Sequence, residues 1–212
     1  MDAFFAARID GYDRHMRTEI EGAAEFYPFT ASLLPDVPGA KVLDLGCGTG
    51  LELEPYFHRN PAASVTGIDL SEVMLRALAE KFPDQDLSLI HGSYFDVPLG
   101  EGVYDAAVSV ESLHHFPPEQ KLALYRGVRA ALKKTGFFVL TDYFAGSPAE
   151  EESGFAALRR MKRDQNAPEG VLYHFDTPLT AAHELRILRE AGFSRAEPLR
   201  NWGATHTLLA AR

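Results

Sequence analysis

A short apolar run, Lys41-Val42-Leu43-Asp44-Leu45, passes directly into Gly46-Cys47-Gly48-Thr49-Gly50 and then into a helix-forming stretch. Three glycines in five residues suit neither a helix nor a strand interior, so the chain must turn here. A strand, a glycine turn and a helix in that order belong to folds in which helices cover a parallel sheet. Such a turn lets backbone approach a ligand closely, and the first N–H groups of the helix face the same space.

The rest of the chain repeats the alternation. β-like runs recur at 64–68, 87–91, 104–110 and 136–141, separated by helical stretches near 51–58, 71–82 and 118–134. Leu122, Tyr125, Val128 and Leu132 are spaced for the sheet-facing side of the last of these. Ser71 suits an N-cap. A helix at 180–191, stopped by Gly192, leads to two closing strands near 193–198 and 204–210. The pattern predicts one domain over 1–212 with a cofactor-type core at 40–142 and a C-terminal helix-and-strand segment at 179–212. Residues 1–34 read as helix, with Phe4, Phe5, Ile9, Tyr12 and Met16 on one face. Residues 144–178 break the alternation, with a helical piece around 155–163 and the sequence Tyr173-His174-Phe175-Asp176 near the end. An insertion of this kind reads as a lid, and 1–34 as a helical cover.

Composition removes several classes. The 212 residues carry 30 acidic and 21 basic side chains, a net charge of −9. Residues 40–116 hold twelve acids against four lysines and arginines, which repels a polyanion, so no nucleic-acid partner is expected. The basic cluster Arg159-Arg160-Met161-Lys162-Arg163 reads as a solvated helix face. No apolar run reaches the roughly 18 residues of a membrane helix, and Met1-Asp2-Ala3-Phe4-Phe5 does not resemble a secretory signal. With Cys47 as the single cysteine, intrachain disulfides are excluded and a cytoplasmic location is expected.

Asp69 ends the second β-like run, 19 residues after Gly50. A carboxylate there can accept both hydroxyls of a ribose, so loop plus acid points to an adenosine-type ligand. The glycine spacing is not that of a dinucleotide site, because Leu51 stands where the third glycine would pack helix on strand. Asp44, two residues before the first glycine, would repel a pyrophosphate and attract an ammonium. S-adenosylmethionine, with an amino-acid tail and a sulfonium, meets both conditions.

Asp44-Leu45-Gly46-Cys47-Gly48-Thr49-Gly50 resembles the first motif of class I S-adenosylmethionine-dependent methyltransferases, and Gly67-Ile68-Asp69-Leu70-Ser71-x-x-Met74 the second. Tyr104-Asp105-x-x-Val108-Ser109 with Leu113-His114-His115-Phe116, and Leu132-Lys133-x-x-Gly136, are similar to later segments of small-molecule members, including ubiquinone/menaquinone-methyltransferase-like proteins. The resemblance implies an α/β fold: a Rossmann-like, seven-stranded, mostly parallel sheet with helices on both faces and a final antiparallel strand. It implies that Gly46, Cys47 and Gly48 lie against the methionine and ribose part and that Asp44 receives the ammonium. Asp69 would then hold the ribose hydroxyls, with Leu70 and Met74 flanking the adenine and Ser109 and Val110 completing the cofactor set. Many relatives carry a Gly-Asp pair after the third strand. Here Gly92 is followed by Ser93 and Tyr94, which are left to meet the adenine, while Asp96 is expected to cap or face solvent. Tyr12-Asp13 is similar to a pair that covers the cofactor in several relatives.

The acceptor would sit beyond the strand ends, near Val110, Glu111, His114, His115, Asp142 and Tyr143, with His15 and Tyr12 from the N-terminal helix and Tyr173 and His174 from the lid. Glu111, His114 and His115 are the candidate catalytic groups. No carboxylate-rich cluster accompanies the histidines in sequence, so no metal is expected. The expected activity is methyl transfer to a small-molecule acceptor. The alternatives are a noncatalytic binder of S-adenosylmethionine or its demethylated product, and a nicotinamide-dependent oxidoreductase. The sequence is silent on oligomeric state.

Overall fold

The computed structural model describes residues 9–165 and 175–212. The expectations placed on Phe4, Phe5, Tyr173 and His174 lie outside them. In chain order come α1 (Ile9–Glu19), α2 (Ala23–Leu33), β1 (Lys41–Leu45), α3 (Leu53–Arg59), β2 (Ser64–Asp69), α4 (Glu72–Lys81) and β3 (Asp86–His91). They are followed by β4 (Tyr104–Val110), α5 (Pro118–Ala131), β5 (Leu132–Tyr143), α6 (Pro148–Asp164), α7 (Ala181–Glu190), β6 (Arg195–Trp202) and β7 (Thr205–Ala211). The seven strands form one sheet in the order β3-β2-β1-β4-β5-β7-β6. The first five are parallel, and β7 runs antiparallel between β5 and β6. The order reverses direction at β1 and β4, and an open sheet of this kind binds ligands outside the strand ends at that point.

Strand side chains alternate between two faces, and both faces are covered. Leu43, Ala107, Phe138 and Leu140 bury one way, with Leu124, Tyr125 and Val128 of α5 and Leu185 and Leu188 of α7. Val42, Val65, Ala106, Val108 and Val139 bury the other way, against Phe26 of α2, Leu53, Tyr56 and Phe57 of α3, and Leu75 and Leu78 of α4. The Ser71 hydroxyl accepts the Met74 amide, capping α4 as predicted. The buried face of α5 keeps the predicted Tyr125 and Val128, with Leu132 buried just beyond the helix end, and departs from the prediction at Leu122. It consists of Lys121, Leu124, Tyr125, Val128 and Ala131, and Leu122 is only partly buried. The Lys121 ammonium turns inward because Glu184 of α7 receives it at 2.6 Å, together with the Tyr125 hydroxyl. A buried charge is tolerated only with such a partner.

Several boundaries differ from the sequence expectation. The N-terminal segment is two helices, not one. Gly22 stands between them at φ 78°, where a Cβ would lie 2.3 Å from that of Trp202. β5 begins at Leu132, not Gly136, and takes up its extra length at a register shift opposite Tyr104 and Ala106. β6 runs on to Trp202 through an irregularity at Pro198 and Arg200. The helix in 144–178 spans 17 residues and starts at Pro148. Ser147 caps it by accepting the Glu150 amide, Pro148 opens it, and Glu150 and Glu151 occupy the first turn. Those are ordinary helix-start signals.

Candidate active site

The glycine turn after β1 is held by β2. Gly46 N–H donates to the Ile68 carbonyl at 2.8 Å, and Gly46, Gly48 and Gly50 have φ of 75°, 48° and 70°. A side chain at Gly46 would strike Ser112 Oγ at 2.0 Å, so this position needs glycine for space as well as for conformation. A Cβ at Gly48 would meet nothing within 4 Å, because it would point into open space. The Asp69 carboxylate closes the turn. One oxygen accepts the Gly48 amide at 2.9 Å and the other the Ser71 amide at 2.8 Å. The acid is thereby fixed between the loop and the start of α4.

Beneath the loop lies Asp44, fully buried. Neither of its oxygens meets a hydrogen-bond donor among the described residues. The group it faces is the buried Glu52 carboxyl, so the two can hydrogen-bond only by keeping a proton. Burial and then the Glu52 charge push the Asp44 carboxyl well above the usual carboxylate range. Burial likewise raises Glu52. Two buried carboxyls that keep a proton under a ligand loop are an arrangement that an incoming ammonium would let ionise. The residues present therefore fit S-adenosylmethionine, whose amino-acid tail brings that ammonium.

α1 is pinned over the loop. The Asp13 carboxylate accepts the Thr49 hydroxyl and the Lys81 ammonium, and Lys81 also donates to the Thr49 carbonyl at 2.7 Å. Arg17 pairs with Glu54. Tyr12, His15, Met16 and Glu19 are thus brought to the rim of one cavity. Burial, followed by the charge of Glu52, holds the Tyr12 phenol protonated far above its ordinary range.

The opposite wall comes from the ends of β4 and β5. His114 Nδ1 and Asp142 Oδ1 are 2.6 Å apart, and Asp142 also accepts the Leu113 and Tyr143 amides at 2.9 Å each. Burial pushes the His114 imidazole down, but the Asp142 charge and hydrogen bond outweigh it, so its pKa lies above the ordinary value. Burial pushes Asp142 up, and His114 more than reverses that. Asp176 stands 3.6 Å from His114 Nε2 and 3.2 Å from His115 Nδ1. Glu111 is enclosed by protein yet reachable from the cavity. Burial first and the Asp142 charge second lift its pKa to about 7. At φ 48° it is the one non-glycine residue with positive φ among those described, a conformation that costs energy and concentrates at functional sites.

These walls enclose a cavity of about 620 Å³, within the range of small-molecule sites, about 300–1,000 Å³. Of the predicted positions, Gly46, Gly48, Asp69, Leu70, Met74, Tyr94, Val110, Glu111, His114, His115, Tyr12, His15 and Tyr143 line it. Four predicted cofactor positions do not. Asp44 lies below it. The Cys47 side chain is buried against Gly67. Ser109 is buried and donates to the Leu45 carbonyl at 2.9 Å, joining β4 to β1. Ser93 spends its hydroxyl on the Phe95 amide at 3.2 Å, while Asp96 is exposed as expected. Tyr94 is held by Ser112, its hydroxyl 3.2 Å from the Ser112 hydroxyl. Glu19, Ser112, Trp202 and Thr205 line the cavity without having been singled out, as does Asp176. The expectation that carboxylates are lacking beside the histidines is corrected. His114, His115 and Asp176, and separately Glu111, His114 and Asp142, bring ligand-type atoms within 4.8 Å of one another. Glu111 lies three residues before His114, and the fold delivers Asp142 and Asp176 from distant sequence. Among the described residues no helix is long and apolar enough to cross a membrane.

A methyltransferase-domain family model matches residues 42–136. An uncharacterized methyltransferase of Synechocystis is 32% identical over 58% of this chain and 56% of its own length. The carboxy-S-adenosyl-L-methionine synthase of Chromohalobacter salexigens is 32% identical over 74% and 63%. The chain thus spans about half to two thirds of the length of these relatives. The crystal structure of an S-adenosylmethionine-dependent methyltransferase from Mesorhizobium loti superposes over 87% of this chain and 96% of its own, with a TM-score of 0.62 at 23% identity, a likeness of fold. With the glycine loop, the acid that ends β2 and the sheet order described above, residues 42–136 are identified as a methyltransferase domain of the class I S-adenosylmethionine-dependent type.

Proposed function

We propose that this protein moves a methyl group from S-adenosylmethionine to a small-molecule acceptor held in the cavity between α1 and the ends of β4 and β5. One observation carries this reading: a single cavity joins the Gly46–Gly48 loop and Asp69 to the His114–Asp142 pair. When bound, the cofactor supplies an electrophilic methyl carbon on a sulfonium, open to in-line displacement. Asp69 receives the ribose hydroxyls, Leu70 and Met74 flank the adenine, Tyr94 bounds its edge, and Asp44 with Glu52 takes the ammonium. His114 is the general base. Asp142 holds the Nδ1 proton, orients the ring and stabilises the imidazolium formed when Nε2 accepts a proton from the acceptor. α1 and the Asp176 segment cover the site and keep water out while acceptor and methyl are aligned. This reading keeps the expected cover only in part, because α2 and α6 contribute no lining residue. The acidic lining disfavours a nucleic-acid acceptor, and a cytoplasmic location accords with the single cysteine.

A screen of metabolite pools with methyl-labelled S-adenosylmethionine, beside calorimetry of the cofactor, tests the proposal. Label transfer that disappears in Asp69→Ala supports it. Cofactor binding with no transfer to any pool would favour the noncatalytic binder instead. Tight binding of a reduced nicotinamide in its place would favour an oxidoreductase.

A further inference from the structure

The cavity has a one-sided charge. Among its described lining residues are five carboxylates, Glu19, Glu21, Asp69, Glu111 and Asp176, and no lysine or arginine. Only the imidazoles of His15, His114 and His115 could offset them. Carboxylates gathered in a concave, partly dry site repel one another and bind an anion poorly. The Glu111 side chain is central to this charge. It hangs from the end of β4 in a strained conformation, and among the described residues one hydrogen bond reaches it, from the Thr205 hydroxyl at 3.0 Å. That leaves its second oxygen available. Much of the remaining lining is apolar, and four aromatic side chains stand in it: Tyr12, Phe116, Tyr143 and Trp202. Aromatic faces attract a cation and accommodate a flat apolar body.

We propose that the acceptor is an amine with an apolar or aromatic body, its ammonium seated against the Glu111 carboxylate in the cavity that these aromatic side chains also line. The proposal rests on the methyl-transfer reading in taking this cavity as the acceptor site. It concerns recognition, and holds whether or not the amine nitrogen is the atom methylated. An arriving ammonium turns the elevated Glu111 carboxyl into a stable carboxylate, because it supplies the counter-charge that the cavity lacks. A carboxylate or phosphate acceptor would instead add a negative charge to a lining that is already acidic.

The test uses the full chain saturated with S-adenosylhomocysteine and three probes of one shape: 2-phenylethylamine, 2-phenylethanol and 3-phenylpropionate, with their naphthyl and indolyl analogues. Affinities are read by ligand-observed NMR and calorimetry. The amines should bind at least tenfold more tightly than the matched carboxylates, with the alcohols between. In Glu111→Gln the preference of amine over alcohol should fall by about tenfold. Thr205→Val, which leaves the carboxylate in place, should retain it. Carboxylates binding as well as amines, or no amine binding at all, would overturn the proposal. The wild-type comparison needs no variant to fold. Failure of the underlying reading looks different: S-adenosylhomocysteine itself would not bind, or no methyl label would pass to any pool.

Discussion

The Asp142 carboxylate, 2.6 Å from Nδ1 of His114, is fixed by two backbone amides and therefore cannot turn away from the ring it faces. A histidine held in this way is fixed in orientation and tautomer, with Nε2 facing Asp176 across the cavity wall. The β5 end carries Asp142 and the chain just after β4 carries His114, so the pairing of two parallel strands builds the dyad. No local motif encodes it.

If His114 is the base, Asp142→Asn should lower kcat by about a hundredfold or more, within the usual worth of general-base catalysis of about 10²–10⁴, and leave KM for S-adenosylmethionine nearly unchanged. The pH profile gives a separate signature. The His114 pKa lies above the ordinary 6.5, so activity should rise with pH through a midpoint above that value. Removing the Asp142 charge should move this midpoint down. An unmoved acid limb with a simple loss of thermal stability would mark Asp142 as structural only.

Glu111 gives a stability prediction with a definite sign. Its folded pKa is about 7, raised from 4.5 by burial and the Asp142 charge. The folded state therefore holds the proton more tightly than the unfolded chain, and stability from this group is lost as pH rises from about 4.5 through 7. Above pH 7 the penalty levels off at a few kcal/mol, about 3 by order of magnitude. Glu111→Gln should be close to neutral at pH 5 and stabilising at pH 8, read as midpoint shifts in urea unfolding. A variant destabilised equally at both pH values would contradict the burial account.

Asp69→Ala removes an acceptor from the Gly48 and Ser71 amides as well as from any ribose. Losing a charge-assisted acceptor costs ~1.5–3 kcal/mol, so S-adenosylhomocysteine affinity should fall about ten- to a hundredfold. Calorimetry on the folded variant measures it. Unchanged affinity would remove Asp69 from the cofactor site.

The α1 clamp is testable apart from chemistry. Asp13→Ala frees both the Thr49 hydroxyl and the Lys81 ammonium from their shared acceptor. Trypsin should then cut at Arg14 or Arg17 several-fold faster, and bound S-adenosylhomocysteine should slow the cut less than in the parent. Equal cleavage rates in parent and variant would show that α1 is held by packing instead.

Much of this was legible in the sequence where the information is local. The strand–glycine–helix passage at 41–59, the acid at 69 and the cap at Ser71 each depend on neighbours within a few residues. The split at Gly22 was marked by a glycine but depends on Trp202, which lies on β6. Asp44 could be singled out by its position before the first glycine, yet its confrontation with Glu52 arises only when the loop closes. Ser109 and Cys47 sat inside matching motifs, and the pleat of the strand and the packing on Gly67 turned their side chains into the core. The acids that meet His114 and His115 come from 28 and 61 residues downstream of them, Asp142 after His114 and Asp176 after His115. The pairing of β4 with β5 brings Asp142 to His114, and the Thr177 amide, donating to the His114 carbonyl, brings Asp176.

Gly46 and Gly48 share a left-handed backbone but differ in what surrounds them, and this separates folding from binding. A methyl group at either position costs about 1–2 kcal/mol in the left-handed region. At Gly46 it also meets Ser112 Oγ at 2.0 Å and Ser112 Cβ at 2.7 Å, and Ser112 holds the Tyr94 hydroxyl. At Gly48 it meets no protein atom within 4 Å, because it projects into the space beside Asp69. Gly46→Ala should therefore lower Tm by several degrees more than Gly48→Ala. Gly48→Ala should lose only that backbone cost of about 1–2 kcal/mol in stability, yet lose at least tenfold in S-adenosylhomocysteine affinity, since the added methyl group occupies the volume that the ligand needs. Thermal melts and calorimetry on the two variants decide the matter. If Gly48→Ala bound the ligand with parental affinity, the open space beside Gly48 would not be where the cofactor lies.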